Sequence, residues 1–136
     1  MRKINLKEIE LNGEKLPYYC DLYVLSKVQD RMSAAQFERD LLGAAPIKNK
    51  DGEVERDESG RIKLVFKGYV IETMIFGLTL MINEGIAIKN DQEGTKIEEV
   101  DEKFVGRVID MQPPELSALL IDEFNRCFAV KKNMTT

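Results

Sequence analysis

The chain begins with alternating hydrophobic and polar positions, which predict a strand with one buried face. The apolar positions of this stretch are Ile4, Leu6, Ile9 and Leu11. Asn12-Gly13 comes next, and this dipeptide is typical of a two-residue hairpin turn. Residues 16–20 are therefore the predicted returning strand. Pro17 lies near its start, where a missing backbone N–H is tolerated.

Helical spacing replaces this alternation after residue 20. Asp21 can cap a first helix, whose apolar positions are Leu22, Leu25, Val28 and Met32. Ser33 and Gln36 have the spacing of a capping box, which predicts a second short helix over about residues 34–42. Gly43 is expected to end that helix, because glycine readily adopts the left-handed conformation of a C-cap.

A polar stretch, residues 44–61, interrupts the pattern and contains the turn dipeptides Asp51-Gly52 and Ser59-Gly60. It has few apolar anchors, so we predict a long mobile loop at about 44–61 or a poorly anchored hairpin. Residues 62–66 are a predicted short strand. We favour its joining the N-terminal hairpin, because a three-stranded sheet is more stable than a lone hairpin.

The most hydrophobic stretch runs from Gly68 to about Ala87 and predicts a central helix that ends near Gly85. One apolar face holds Ile71, Met74, Ile75, Leu78, Met81 and Ile82. Phe76, Gly77 and Leu80 form a second apolar strip. A helix that is apolar nearly all round must be covered on most sides. Either its own domain buries the second strip, or Phe76, Gly77 and Leu80 bind a protein partner or another copy of the chain.

Two further helices complete the predicted fold, after a loop over residues 88–99. Asp101 can cap a helix that runs through Ile109. Pro113-Pro114-Glu115 is a typical helix start, because proline suits the first turn and glutamate the positive end of the helix dipole. We therefore predict one α+β domain over residues 1–130, with a frayed tail at 131–136. Its N-terminal β-hairpin, alone or in a three-stranded sheet, packs against four to five helices.

Composition narrows the classes of partner. The 136 residues carry a net charge of −4 and are 43% hydrophobic and 32% charged, which is typical of a globular domain. We expect no nucleic-acid partner, because phosphate binding needs clustered lysines and arginines. We expect neither a signal peptide nor a membrane partner, since the longest uncharged stretch, residues 73–83, is too short to cross a bilayer. These features predict a cytoplasmic protein.

The sequence offers little catalytic chemistry. It contains no histidine, the commonest general base and a frequent metal ligand. Cys20 and Cys127 lack metal-ligand spacing and lie among apolar residues, so we predict buried, inert thiols. The acidic residues at 98–102 and 122–123 are interpreted as a solvated helix start and a polar helix face. We therefore predict no catalytic residues, no metal and no cofactor.

The order of the elements, together with several short strings, resembles a known family. The hairpin at residues 4–20 precedes a capped helix with the spacing Leu22-x-x-Leu25-x-x-Val28. The later strings are Met81-Ile82-Asn83-Glu84-Gly85, residues 99–110 with Val105-Gly106-Arg107, and residues 122–128. In this order they resemble the small tail assembly chaperones of tailed phages and prophages of Gram-positive bacteria. The resemblance covers most of the chain except residues 44–61.

This resemblance implies a mostly helical α+β protein that coats the tape measure protein inside the bacterial host cell. It would keep that long hydrophobic helical protein soluble until the tail tube polymerises. Two alternatives are a minor structural tail protein that self-associates and a small phage-encoded regulator that binds a host protein. An enzyme is the last hypothesis, because it would need carboxylates such as Asp101 or Glu102 to converge in a pocket.

Overall fold

Two short hairpins and five helices form the part of the chain that the computed structural model describes, residues 3–128. The elements in chain order are β1 (Lys7–Leu11), β2 (Glu14–Tyr18), α1 (Leu22–Gln29), α2 (Ala34–Leu42), β3 (Ala44–Pro46), β4 (Leu64–Phe66), α3 (Ile71–Glu93), α4 (Glu102–Val108) and α5 (Pro113–Cys127). The predicted α+β class, with an N-terminal hairpin packed against five helices, is confirmed. The predicted frayed tail, residues 131–136, lies outside the described residues.

The N-terminal hairpin forms as its turn dipeptide predicts. Asn12 and Gly13 have φ angles of 52° and 81°, the left-handed conformations that a type I′ turn requires. The register pairs Ile9 with Leu16 on the buried face. Pro17 pairs with Glu8 at a position that exchanges no hydrogen bond with β1, so its missing N–H breaks no bond of the ladder.

The three N-caps predicted from local sequence are all present. Asp21, Ser33 and Asp101 each accept a hydrogen bond from the backbone N–H three residues later. The capping box of α2 is only half formed, because the side chain of Gln36 donates to Asp40 at 2.6 Å. Gly43 ends α2 with a φ of 71°, as expected. These short-range contacts fix where the helices begin and end.

Strand β4 does not join the N-terminal hairpin, so the prediction of a three-stranded sheet is wrong. β4 pairs with β3 in a separate antiparallel sheet, with Val65 opposite Ala45. Helix α3 instead packs directly on β2 and the residues after it. The amide of Tyr19 donates to the carbonyl of Met81 at 3.0 Å. A helix therefore stabilises the first hairpin where we expected a third strand.

Residues 44–61 contain two successive turns of the same design. The side chain of Asn49 in the first turn, and of Asp57 in the second, accepts hydrogen bonds from backbone amides two and four residues later. The distances are 2.9 and 3.0 Å in both turns. Gly52 and Gly60 supply the left-handed residue of each turn, with φ angles of 80° and 85°. Side-chain acceptors thus organise this polar segment in place of an apolar core.

Helix α3 is longer than predicted, since it continues through Gly85 to Glu93 and ends at Gly94. Residues 88–93, predicted as loop, are helical. Gly85 lies inside the helix, where a side chain would not fit. A Cβ at this position would lie 2.7 Å from the backbone carbonyl of Pro17. Glycine at this position permits close helix-to-strand contact and does not end the helix.

Helix α3 is the centre of the core and contacts β2, α1, α2, α4 and α5. Its most deeply buried side chains are Met74, Leu78, Met81, Ile82 and Ile86. By length and hydropathy alone, α3 could cross a membrane. However, 56% of its most apolar 18-residue stretch is buried against the rest of the chain. The core helix of a water-soluble protein meets the same two criteria.

Candidate protein-binding surfaces

The three residues predicted to bind a partner lie in different environments on α3. Phe76 is only 5% exposed, and the guanidinium carbon of Arg31 lies 3.9 Å from the centre of its ring. Gly77 is buried, and a Cβ at this position would lie 2.7 Å from the ring of Phe37. Leu80 is half-buried. The chain therefore covers Phe76 and Gly77 with its own residues, and Leu80 is the most accessible of the three.

Leu80 lines a groove between α1 and the segment that follows α3, here called the α1–α3 groove. It has a volume of about 420 Å³ and is lined by Tyr23, Lys27, Leu80, Asn83, Glu84, Ala87 and Glu99. Asn83 fixes one wall, because its side chain donates to and accepts from the backbone of Val100, both at 2.8 Å. On the opposite wall, the ammonium of Lys27 lies 5.3 Å from the ring centre of Tyr23.

A pair of carboxyl groups lies at this groove. The pKa of Glu84 is raised to about 8. Burial is the largest cause, and the hydrogen bond and negative charge of the neighbouring Asp21 act in the same direction. Asp21 also caps α1 by accepting from the amide of Val24 at 2.9 Å. Burial and the neighbouring Asp21 both favour the protonated form of Glu84. In that form its single O–H can donate to the Asp21 carboxylate.

A second surface surrounds β4. Of the nine exposed large hydrophobic residues in the described chain, six lie on the two faces of β4 or on the segments next to it: Leu42, Leu64, Val65, Phe66, Val70 and Ile71. We call this the β4 surface. Gly43 brings its parts together, because its carbonyl accepts from the amide of Lys67 at 2.7 Å and its lack of a Cβ leaves room for the Phe66 ring. An apolar cluster of this kind is typical of an interaction site.

The outer edge of β4 is open. The amide of Ile47 donates to the carbonyl of Lys63, and the amide of Lys67 donates to that of Gly43. Antiparallel ladders alternate, so the backbone groups of Val65 also face β3, whereas those of Leu64 and Phe66 point away from it. Within residues 3–128, no backbone hydrogen bond engages Leu64 or Phe66 on that outer edge.

An ion cluster around the buried Glu123 joins the first hairpin to α5. Glu123 is 1% exposed, and its carboxylate accepts from the amide of Cys20 at 2.8 Å and from Arg126 at 2.8 Å. The ammonium of Lys7 lies 3.3 Å away. Arg126 also donates to the carbonyl of Cys20 and stacks on the ring of Tyr19. The interpretation of Glu123 as part of a solvated polar face is therefore wrong, because this glutamate holds elements together.

The other reactive side chains have structural surroundings. Burial raises the pKa of the Cys20 thiol, which makes it a poor nucleophile; Cys127 is half-buried. Asp101 accepts from the amide of Phe104 at 2.7 Å, and Glu102 pairs with Arg31 at 2.8 Å. Among residues 3–128, no group of three or more acidic, cysteine or histidine side chains is placed to hold a metal ion.

Comparison of the chain with protein-family models, with curated proteins and with solved structures gives no match. The two candidate binding surfaces described above are the α1–α3 groove and the β4 surface. The groove contains Leu80, which the sequence indicated. The β4 surface was missed, because residues 62–66 were expected to be covered in a three-stranded sheet. The Leu64-Val65-Phe66 run, next to a polar segment with few apolar residues to cover it, was the available indication.

Proposed function

We propose that this chain is a non-catalytic binding protein, namely a tail assembly chaperone that coats the tape measure protein in the bacterial cytoplasm before the tail tube polymerises. The β4 surface is the observation that carries the proposal. Phe66 is 62% exposed, and its ring packs edge-on against that of Tyr69. Burying such side chains against a hydrophobic client is favourable by about 25 cal/mol per Å² of apolar area.

The modest size of the β4 surface suits a temporary coat. Only six exposed large apolar side chains contribute to it, so we expect each copy to bind weakly. Many copies along one long client protect it together and can still leave singly as the tube forms. The net charge of −4 keeps the coated assembly soluble through repulsion.

Co-expression with the long helical protein encoded just downstream, if the gene has such a neighbour, tests the proposal. We expect that protein to be soluble only in the presence of this chain and to co-purify with many copies of it. Phe66→Asp should abolish capture, because it places a charge on the β4 surface. Val54→Asp is the matched control, since Val54 is exposed but lies outside that surface.

Leu80→Asp tests the α1–α3 groove in the same assay. Loss of capture by this variant alone would show that the client binds at the groove and not at the β4 surface. Phe76→Asp is unsuitable, because Phe76 is buried and a charge at that position would destabilise the fold. A client that stays insoluble with the wild-type chain would refute the chaperone proposal. Recovery of the chain from purified particles would support the minor structural protein instead.

A further inference from the structure

We propose that β4 binds an extended segment of its protein partner as an added strand, and that this segment is apolar with acidic residues on either side. The inference deepens the proposed function and rests on it only in taking the partner to be a protein. It adds the conformation and the charge of the segment that docks on the β4 surface.

Hydrogen-bonding geometry selects the conformation. The N–H and C=O groups of Leu64 and Phe66 point away from β3, and both residues are exposed. Ile62 continues the same edge, because the flanking residues Arg61 and Lys63 direct their backbone groups toward residues 47–57. An amphipathic helix cannot satisfy this edge, since its own backbone groups are bonded internally. An extended chain can satisfy it.

Charge selects the sequence of the segment. Lys63 and Lys67 flank β4, both are exposed, and neither takes part in a salt bridge among residues 3–128. Side chains alternate along a strand, so Lys63, Val65 and Lys67 share one face while Leu64 and Phe66 share the other. An added strand therefore needs acidic residues opposite the lysines and apolar residues between them.

The same lysines disfavour a second copy of this chain as the occupant. Antiparallel pairing of two β4 edges would bring Lys63 of one copy opposite Lys67 of the other. Like charges directly opposite each other destabilise a sheet, and lysines at edge strands commonly prevent such pairing. The lysines therefore disfavour pairing of two β4 strands and favour pairing of β4 with an acidic partner.

Hydrogen exchange of the full chain with the peptide Thr-Glu-Val-Val-Val-Glu-Thr tests this inference. We expect saturating peptide to slow exchange of the Leu64 and Phe66 amides by about tenfold or more, the effect of one hydrogen bond each. The Val65 amide already faces β3 and should change little. The control peptide Thr-Lys-Val-Val-Val-Lys-Thr should give no protection, because it places like charges together.

Two variants separate backbone pairing from side-chain contact. Leu64→Pro removes an outward N–H that β3 does not use, and proline is tolerated on such an edge. Leu64→Ala removes the side chain but keeps that N–H. We expect Leu64→Ala to bind the acidic peptide several-fold more weakly and Leu64→Pro to lose binding. Retained protection of the Val65 amide shows that each variant is folded.

Equal affinity of the two variants, or unprotected Leu64 and Phe66 amides at saturation, would overturn the added-strand inference. Its failure can be told apart from failure of the chaperone proposal. Capture of the client by wild-type and Leu64→Pro chains alike would leave the chaperone proposal standing without the added strand. Peptide binding as expected, with an uncaptured client, would leave the added strand standing without the chaperone.

Discussion

Gly85 shows how one missing methyl group permits an interface. Inside a helix, glycine costs up to about 1 kcal/mol relative to alanine. Here that cost is offset, because the backbone of β2 reaches α3 at a position where no side chain projects. The adjacent hydrogen bond from Tyr19 to Met81 depends on the same close approach.

Gly85→Ala is therefore expected to destabilise the fold by about 2–3 kcal/mol, since the new Cβ would meet backbone atoms that cannot rotate away. Gly106→Ala is the control, because its nearest neighbour is the flexible end of Ile75 at 3.1 Å. That change should shift stability by less than about 1 kcal/mol. Urea unfolding measures both, and equal effects would contradict the close-approach explanation.

Glu84 should make the free energy of unfolding change with pH in the direction opposite to that caused by an ordinary ion-paired carboxylate. Its pKa is about 8 in the folded chain against an ordinary 4.5, so the folded state binds more protons between these values. The free energy of unfolding must then fall as pH rises through this window. Glu84→Gln cannot ionise and should flatten that fall, with a gain of about 1 kcal/mol at pH 9 after allowance for partial solvent exposure.

Urea unfolding at pH 5, 7 and 9 checks the expectation for Glu84. The groups that face it are Asp21, Lys27 and Glu99. Glu99→Gln, on the other side of the groove, is the matched control and should keep the wild-type pH dependence. A Glu84→Gln profile parallel to the wild type would show that Glu84 ionises normally.

The turns within residues 44–61 are elements stabilised by their own side chains. Asp57 accepts three hydrogen bonds, from the amide and hydroxyl of Ser59 and the amide of Arg61. These bonds lower its pKa, so the second turn should loosen as pH falls through that lowered value. The first turn uses Asn49, which does not ionise, and should remain intact.

Asp57→Ala should therefore speed hydrogen exchange at Ser59 and Arg61 and leave the first turn unchanged. Asn49→Ala should do the reverse, with faster exchange at Asp51 and Glu53. Global stability should change little in either variant, because both side chains are exposed. Faster exchange in both turns from a single change would mean that the turns form as one unit.

Across the whole molecule, contacts distant in sequence hold the layers together. The carboxylate of Glu123 binds both the ammonium of Lys7 and the backbone amide of Cys20, so the first hairpin and the last helix are fixed to each other. Helix α3 is covered on most sides by the rest of the chain. The proposed client surface lies on a different sheet, where a polar segment and a short hairpin leave apolar side chains uncovered. Binding there need not open the core.

Local chemistry allowed the sequence to determine the helices and the first hairpin. Asp21, Ser33 and Asp101 contact amides only three residues away, and Asn12-Gly13 specifies its turn without help from the rest of the chain. The main apolar face of α3 likewise follows from spacing. These features were sufficient to predict the α+β class and the approximate position of each helix.

Contacts between distant residues were decided only by the tertiary structure. Strand β4 pairs with β3 and not with the first hairpin, because α3 already packs on β2. That pairing leaves Phe66 exposed, whereas contacts from Arg31 and Phe37 bury Phe76 and Gly77 and leave Leu80 at a groove. The hydrophobic effect is not directional. The spacing of apolar residues therefore predicts which side chains are buried, but not which part of the chain buries them.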